Sequence, residues 1–167
     1  GGSIADLEAL HINIKRHPKY PSLFLAKYDQ IESPMANELV QGCRGIIIDE
    51  SDNFRCIARP FDKFFNEGEG HAAAVEWSTG RVQEKLDGSL VIMYWYDGEW
   101  RVATSGTPDA GGEVNGYGFT FAELFWKTIK EQAAEDADSR TLWEAFKDLP
   151  MSTNKYTWCW ELTSQYN

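Results

Sequence analysis

Apolar residues recur at Ile4, Leu7, Leu10 and Ile14, the spacing of one helix face. Residues 4–16 are therefore predicted to form an amphipathic helix, ended by His17-Pro18. The period then changes. Leu23 to Tyr28 suits a short strand, and the polar residues 29–42, with Pro34, suit a loop or a short helix. Arg44-Gly45 opens a β-branched run, Ile46 to Ile48, closed by the polar residues 49–53. Phe54 to Arg59 reads as the return strand of a hairpin. Phe61 to Glu69 is an aromatic loop, and His71 to Trp77 is predicted as a short helix.

The middle of the chain alternates in the manner of strands. Arg81 to Lys85, Leu90 to Tyr96 and Trp100 to Thr104 are predicted strands, with Asp97-Gly98 as the tight turn between the last two. Residues 105–118 are rich in glycine and read as a lid or a plain connection. Helices are expected over Thr120 to Gln132 and Ser139 to Asp148, with an acidic, solvated stretch between them, and a last strand over Tyr156 to Leu162. Strands and helices mix without βαβ alternation, so the fold class is α+β, in one domain.

Composition narrows the classes. The chain has 167 residues, 43% hydrophobic and 25% charged, which suits a packed globular core rather than disorder. Its net charge of −10 argues against a broad basic face for nucleic acid, yet leaves room for a local basic pocket. No apolar run is long enough to span a membrane, and GGSIADLEAL lacks the pattern of a signal peptide. The expectation is a cytoplasmic protein with no membrane partner. Cys43, Cys56 and Cys159 lack CxxC spacing and are expected as reduced thiols, without a zinc site.

Four short segments carry candidate chemistry. Glu84-Lys85-Leu86-Asp87-Gly88-Ser89 places a lysine at the end of a predicted strand, before a tight turn. Flanking strands there would desolvate the amine, lower its pKa and free the nucleophile, while Gly88 would let a ligand approach the backbone. The same residues also suit a plain surface hairpin with a solvated lysine. Gly42-Cys43-Arg44-Gly45 puts an arginine at the start of a buried strand, either toward an anion or as a loop cap. Arg59 to Asn66 sets cations among phenylalanines, so Lys63 is either held toward an anion or incidental to an apolar plug. Trp158-Cys159-Trp160-Glu161-Leu162 places a carboxylate in an aromatic strand, where it is either buried and paired or on the solvent side by alternation.

Together these segments resemble the ATP-dependent polynucleotide ligases and capping enzymes, the covalent nucleotidyltransferases. KLDGS at 85–89 matches their K-x-D-G motif. The nearest likeness is to the phage-type RNA ligase 1 branch. That branch has a C-R-G-I block like Cys43 to Ile46 and a K-F-F-N block like Lys63 to Asn66. Its later strand motif resembles Trp160-Glu161-Leu162 with Asn167. The resemblance covers roughly residues 40–167. It implies a ligase/capping nucleotidyltransferase fold of mainly antiparallel sheets flanked by helices.

The resemblance also implies a reaction. Lys85 would attack the α-phosphate of ATP to form lysyl-AMP, AMP would pass to an RNA 5′-phosphate, and a 3′-hydroxyl would then displace it. Arg44 and Lys63 would hold the outer phosphates of ATP. The backbone around Glu84 and Leu86 would face adenine, with Asp87 and Gly88 shaping the turn. Glu161 would touch the ribose or a water on Mg2+, and Ser89 would be structural. Two departures stand out. The family's T-[KR]-G pattern reads Thr104-Ser105-Gly106, and its later E-G and K-x-K motifs do not occur. Residues 1–167 are thus expected to be the N-terminal portion of an adenylyltransferase domain, weak or inactive without the C-terminal part. The other readings are a DNA ligase or capping enzyme, which the K-F-F-N block disfavours, and a non-catalytic module that binds ATP or a protein.

Overall fold

A computed structural model of the chain describes residues 2–135, 144 and 156–166. The expected helix over Ser139 to Asp148 and the motif residue Asn167 lie outside the described residues, Glu144 apart.

The first helix is much shorter than its periodicity predicts. Helix α1 covers Ile4–Glu8, opened by a capping box in which Ser3 and Asp6 exchange hydrogen bonds. His11 then takes a left-handed φ of 55° and turns the chain. Ile12–Arg16 becomes strand β1, paired antiparallel with β2, Leu23–Tyr28. Ile12 and Ile14 fit a two-residue period as well as a helical one. Pairing with β2 settles the ambiguity, because it satisfies backbone groups that a lone helix end would leave open.

Helix α2 follows at Glu38–Gly42, capped by Asn37. Strands β3, Arg44–Asp49, and β4, Arg55–Ala58, form the expected hairpin and complete a sheet of order β1-β2-β3-β4. The second sheet has the order β6-β5-β7, built from β5, Ser89–Tyr96, β6, Glu99–Thr104, and β7, Trp158–Leu162. Every strand pair is antiparallel. Asp97 and Gly98 take φ values of 52° and 76°, as a two-residue turn between twisted strands requires. Helix α3, Phe121–Glu135, starts at Thr120, whose hydroxyl accepts from the Glu123 backbone while Glu123 reaches back to the Thr120 N–H.

The sheets pack face to face. Leu23, Leu25, Ile47 and Ala58 of the first meet Ile92, Tyr94 and Ala103 of the second in one buried cluster. The outer face of the first sheet is covered by α1 and α2, through Ile4, Leu7 and Val40. The outer face of the second is covered by α3, through Leu124 and Phe125. The layers therefore run helix, sheet, sheet, helix, in an α+β architecture. The glycine-rich segment 105–118 is neither lid nor loose connection. Pro108, Ala110 and Val114 are buried, and the Tyr94 hydroxyl donates to the Pro108 carbonyl at 2.7 Å.

Two predicted elements are absent. His71 to Trp77 forms no helix and Arg81 to Lys85 forms no strand; residues 59–88 carry neither type of element. No helix among the described residues is long and apolar enough to cross a membrane.

Candidate active site

The strand ends explain where the motif residues fall. Arg44 begins β3, Ala58 ends β4, Ser89 begins β5, Thr104 ends β6 and Leu162 ends β7. Ser89 pairs with Leu162, Thr104 pairs with Val91 and Gly45 meets Ser105, whereas Arg59, next after Ala58, bonds Thr157 at the opposite end of β7. A cavity of about 620 Å³ lies against the opposite termini of β3, β4 and β5, lined by residues such as Asp49, Arg55 and Tyr96. Its polar groups bind one another there: Tyr96 donates to Asp49 at 2.8 Å and Tyr20 to Asp97 at 2.8 Å. The motif chemistry is not in that cavity.

Strand β7 is the common support of the motif segments. Its even-numbered residues Trp158, Trp160 and Leu162 pack into the core beneath α3. Cys159 and Glu161 pair with Ile92 and Leu90, which face the other sheet. By alternation they share that face. Glu161 is nevertheless exposed, so it is not a buried carboxylate, although alternation sets it on the face of the other sheet rather than on the solvent side. Cys159 lies close enough to Arg44 for the guanidinium to oppose the upward push of burial on its thiol pKa. Just before β7, the Thr157 hydroxyl accepts from the Arg59 N–H at 2.8 Å.

Gly88 rests on the end of the same strand. A Cβ at position 88 would lie 2.4 Å from the Leu162 carbonyl oxygen, closer than real atoms approach. The K-x-D-G turn is thus seated on backbone one residue past Glu161. Lys85, with Glu84, Leu86 and Asp87, lies on the exposed stretch leading into that seat. Of the two strands expected to flank and desolvate the lysine amine, β5 is present from Ser89, but Arg81 to Lys85 forms no strand and Lys85 stays exposed.

Arg44 owes its place to a bulge. Ala26 pairs with Ile46 but Lys27 pairs with Arg44, so Gly45 is an extra residue in β3, with a φ of 95°. The bulge turns Arg44 out of the regular alternation. Its guanidinium lies 4.8 Å from the Phe64 ring centroid and donates to the Asp62 carbonyl at 3.2 Å. Lys63 is half-buried, with its ammonium 5.1 Å from the Phe65 ring and 5.4 Å from the Tyr28 ring. Its N–H donates to the Gln41 carbonyl at 2.9 Å, tying the K-F-F-N block to the residues before Arg44. Among the described residues neither Arg44 nor Lys63 forms an ion pair. Two cations are therefore held by rings and carbonyls rather than by carboxylates, and their charge stays available to an anion.

Sequence reasoning passed over Arg59, Asp62 and Thr157. A signal for the first two was present in an arginine and an aspartate three residues apart, directly before Lys63. Nothing in sequence spacing pointed to Thr157, which reaches Arg59 only through the fold.

Comparison with known proteins places these residues in context. A family model described as RNA ligase matches residues 42–167. The chain is 27% identical to a protein of the Autographa californica nuclear polyhedrosis virus described as a bifunctional polynucleotide kinase/RNA ligase, over 99% of this chain and 24% of that protein. It is 30% identical to an RNA ligase of Rhodothermus phage RM378, over 54% of this chain and 27% of the relative. The chain thus spans about a quarter of the length of either relative. No solved structure matches it. With a match that runs from Gly42, ahead of the bulge that sets Arg44, past the Glu161 strand, the chain belongs to the phage-type RNA ligase 1 family.

Proposed function

We propose that residues 1–167 are the N-terminal portion of the adenylyltransferase domain of an ATP-dependent RNA ligase with the nucleotidyltransferase fold. Two observations support this reading: the K-x-D-G turn is seated on the Glu161 strand, and Arg44 and Lys63 form no ion pair among the described residues. In the first step the Lys85 amine, having lost its proton, attacks the α-phosphorus of ATP. The N–P bond forms, the bond from α-phosphorus to the bridging oxygen breaks, and pyrophosphate leaves. Arg44 and Lys63 neutralise the outer phosphates and hold the leaving group in line, which is most of what phosphoryl transfer asks of a protein. The backbone at Glu84 and Leu86 faces adenine, and Gly88 keeps the turn close to the nucleotide.

An RNA 5′-phosphate oxygen then attacks the phosphorus of lysyl-AMP, and the lysine nitrogen leaves and regains a proton. A 3′-hydroxyl finally attacks the activated 5′-phosphate and releases AMP, joining the ends as in RNA repair. Mg2+ would be held mostly by phosphate oxygens and waters and would neutralise phosphate charge, with Glu161 touching the ribose or one of those waters. Among the described residues no three His, Cys, Asp or Glu side chains gather to hold a metal, while Glu161 offers one exposed carboxylate on the motif face.

The test is a covalent label. With labelled ATP and Mg2+, the protein should acquire AMP that survives denaturation and disappears in Lys85→Ala. Because the chain spans about a quarter of its relatives, the same assay belongs also on a longer protein containing it. ATP binding without an adduct in either form would overturn the catalytic reading. It would favour a non-catalytic nucleotide-binding module, for which the exposure of Lys85 outside any strand speaks. Labelling by GTP instead would indicate capping chemistry, and joining of DNA ends alone a DNA ligase.

A further inference from the structure

We infer that Arg59 is a positioning residue for the triphosphate: by occupying the Asp62 carboxylate it keeps Arg44 and Lys63 free to bind the outer phosphates of ATP. The inference rests on the ATP reading proposed above and names a residue that reading does not use.

The geometry around Asp62 is specific. Arg59 Nη2 donates to Asp62 Oδ1 at 2.9 Å and to Oδ2 at 3.2 Å. The Asp62 carbonyl meanwhile accepts from Arg44, and Lys63 is the next residue. An unoccupied carboxylate here would sit beside the two cations assigned to the phosphates. It would pair with them and repel a nucleotide. Arg59 is itself anchored at its backbone and beside Gly42. Its N–H is bonded to Thr157 beside β7, and a Cβ on Gly42 would touch both its guanidinium and the Asp62 carboxylate.

The pair has little other use. Its side chains are 59% and 53% exposed, a setting in which an ion pair adds little to folding stability. A role in arranging charge accounts for a pair fixed by a backbone anchor at one end and a ligand-side carbonyl at the other.

The experiment compares ATP with AMP, which lacks the outer phosphates, by calorimetric titration. The wild-type protein should bind ATP more tightly than AMP. In Arg59→Gln the freed carboxylate should cut that preference by about tenfold, a coupling typical of adjacent charges. The double variant Arg59→Gln/Asp62→Asn removes the freed charge and should recover most of the preference, which a merely structural loss would not do. Unfolding midpoints should stay close throughout. An unchanged ATP preference in Arg59→Gln, or a double variant no better than the single one, overturns the inference. So does a wild-type protein that binds ATP no more tightly than AMP. A wild-type protein that prefers ATP but forms no Lys85 adduct overturns the proposed catalysis instead, and leaves the positioning role standing.

Discussion

Gly45 and Ser105 meet backbone to backbone across the seam between the two sheets. A Cβ on Gly45 would lie 3.1 Å from the Ser105 Cα and 3.5 Å from the Ile92 side chain. Ser105 stands where the resemblance leads one to expect a basic residue, and Gly45 is the bulge residue beside Arg44. The contact joins two motif segments that are distant in sequence. It lies between the start of β3 and the end of β6.

Gly45→Ala should therefore be costly twice over. The left-handed φ of 95° disfavours any side chain, and the new methyl meets backbone that cannot swing aside. A loss of about 1–3 kcal/mol is expected, read as a lower denaturant midpoint at unchanged slope. Arg44 should lose its aim at the same time, so ATP binding should weaken more than AMP binding.

The extent to which this was legible differs from element to element. The Asp97-Gly98 hairpin was readable because its turn needs left-handed residues at both positions, and sequence advertises them. The α3 start was readable from Thr120 and Glu123. The stretch 4–16 was not, because Ile12 and Ile14 fit both periods and only pairing with β2 decides between them. Arg81 to Lys85 looks like a strand but finds no partner, and alternation alone cannot supply one. The motif residues were legible as a pattern. Their support was not: the bulge at Gly45, the seat of Gly88 on Leu162 and the Arg59 anchor on Thr157 are contacts between distant segments that leave no local mark.

Gly88 offers a sharper contrast. Gly88→Ala places a Cβ 2.4 Å from the Leu162 carbonyl oxygen, so the K-x-D-G turn must lift off β7. Gly98→Ala is strained by a φ of 76° but meets nothing within 4 Å. Both variants should lose stability, of order 1 kcal/mol for Gly98→Ala. Only Gly88→Ala should lose AMP labelling at Lys85 by more than about tenfold. Equal labelling losses in the two variants would show that the Gly88 seat has no special part in placing the lysine.

His17 should make stability depend on pH. Its ring is buried, and Nδ1 accepts from the N–H groups of Lys19 at 3.1 Å and Tyr20 at 3.3 Å, which requires the neutral form. Desolvation pushes its pKa below the ordinary 6.5, helped by Arg101 and Lys19 and opposed by Asp109. The unfolded chain therefore takes up the proton more readily than the folded one. The contribution is fully present above pH 6.5 and is lost as pH falls from there through the folded-state value. Denaturant titrations from pH 7.5 to about 5, above the range where most carboxylates titrate, should show declining stability in the wild-type protein. In His17→Asn, whose amide oxygen can accept in place of Nδ1, the decline should be shallower. An equal slope in the two proteins would assign the pH dependence to other groups.

The aromatic ring under Arg44 can be tested apart from the charge. The guanidinium lies 4.8 Å from the Phe64 centroid, and Phe64 is 66% exposed, so the ring adds little to the core. Phe64→Leu keeps an apolar side chain but removes the face that attracts a cation. An exposed cation–π contact is worth about 0.5–1 kcal/mol, so ATP affinity should fall by roughly two- to fivefold, with the unfolding midpoint unmoved. Arg44→Ala and Lys63→Ala remove the charges themselves and should weaken lysine adenylylation further. Sealing of RNA that already carries AMP on its 5′-phosphate should survive all three changes, because pyrophosphate has left before that step. An equal loss of adenylylation and of sealing would mean that Arg44 and Lys63 act on the RNA ends or on AMP itself, not on the outer phosphates of ATP.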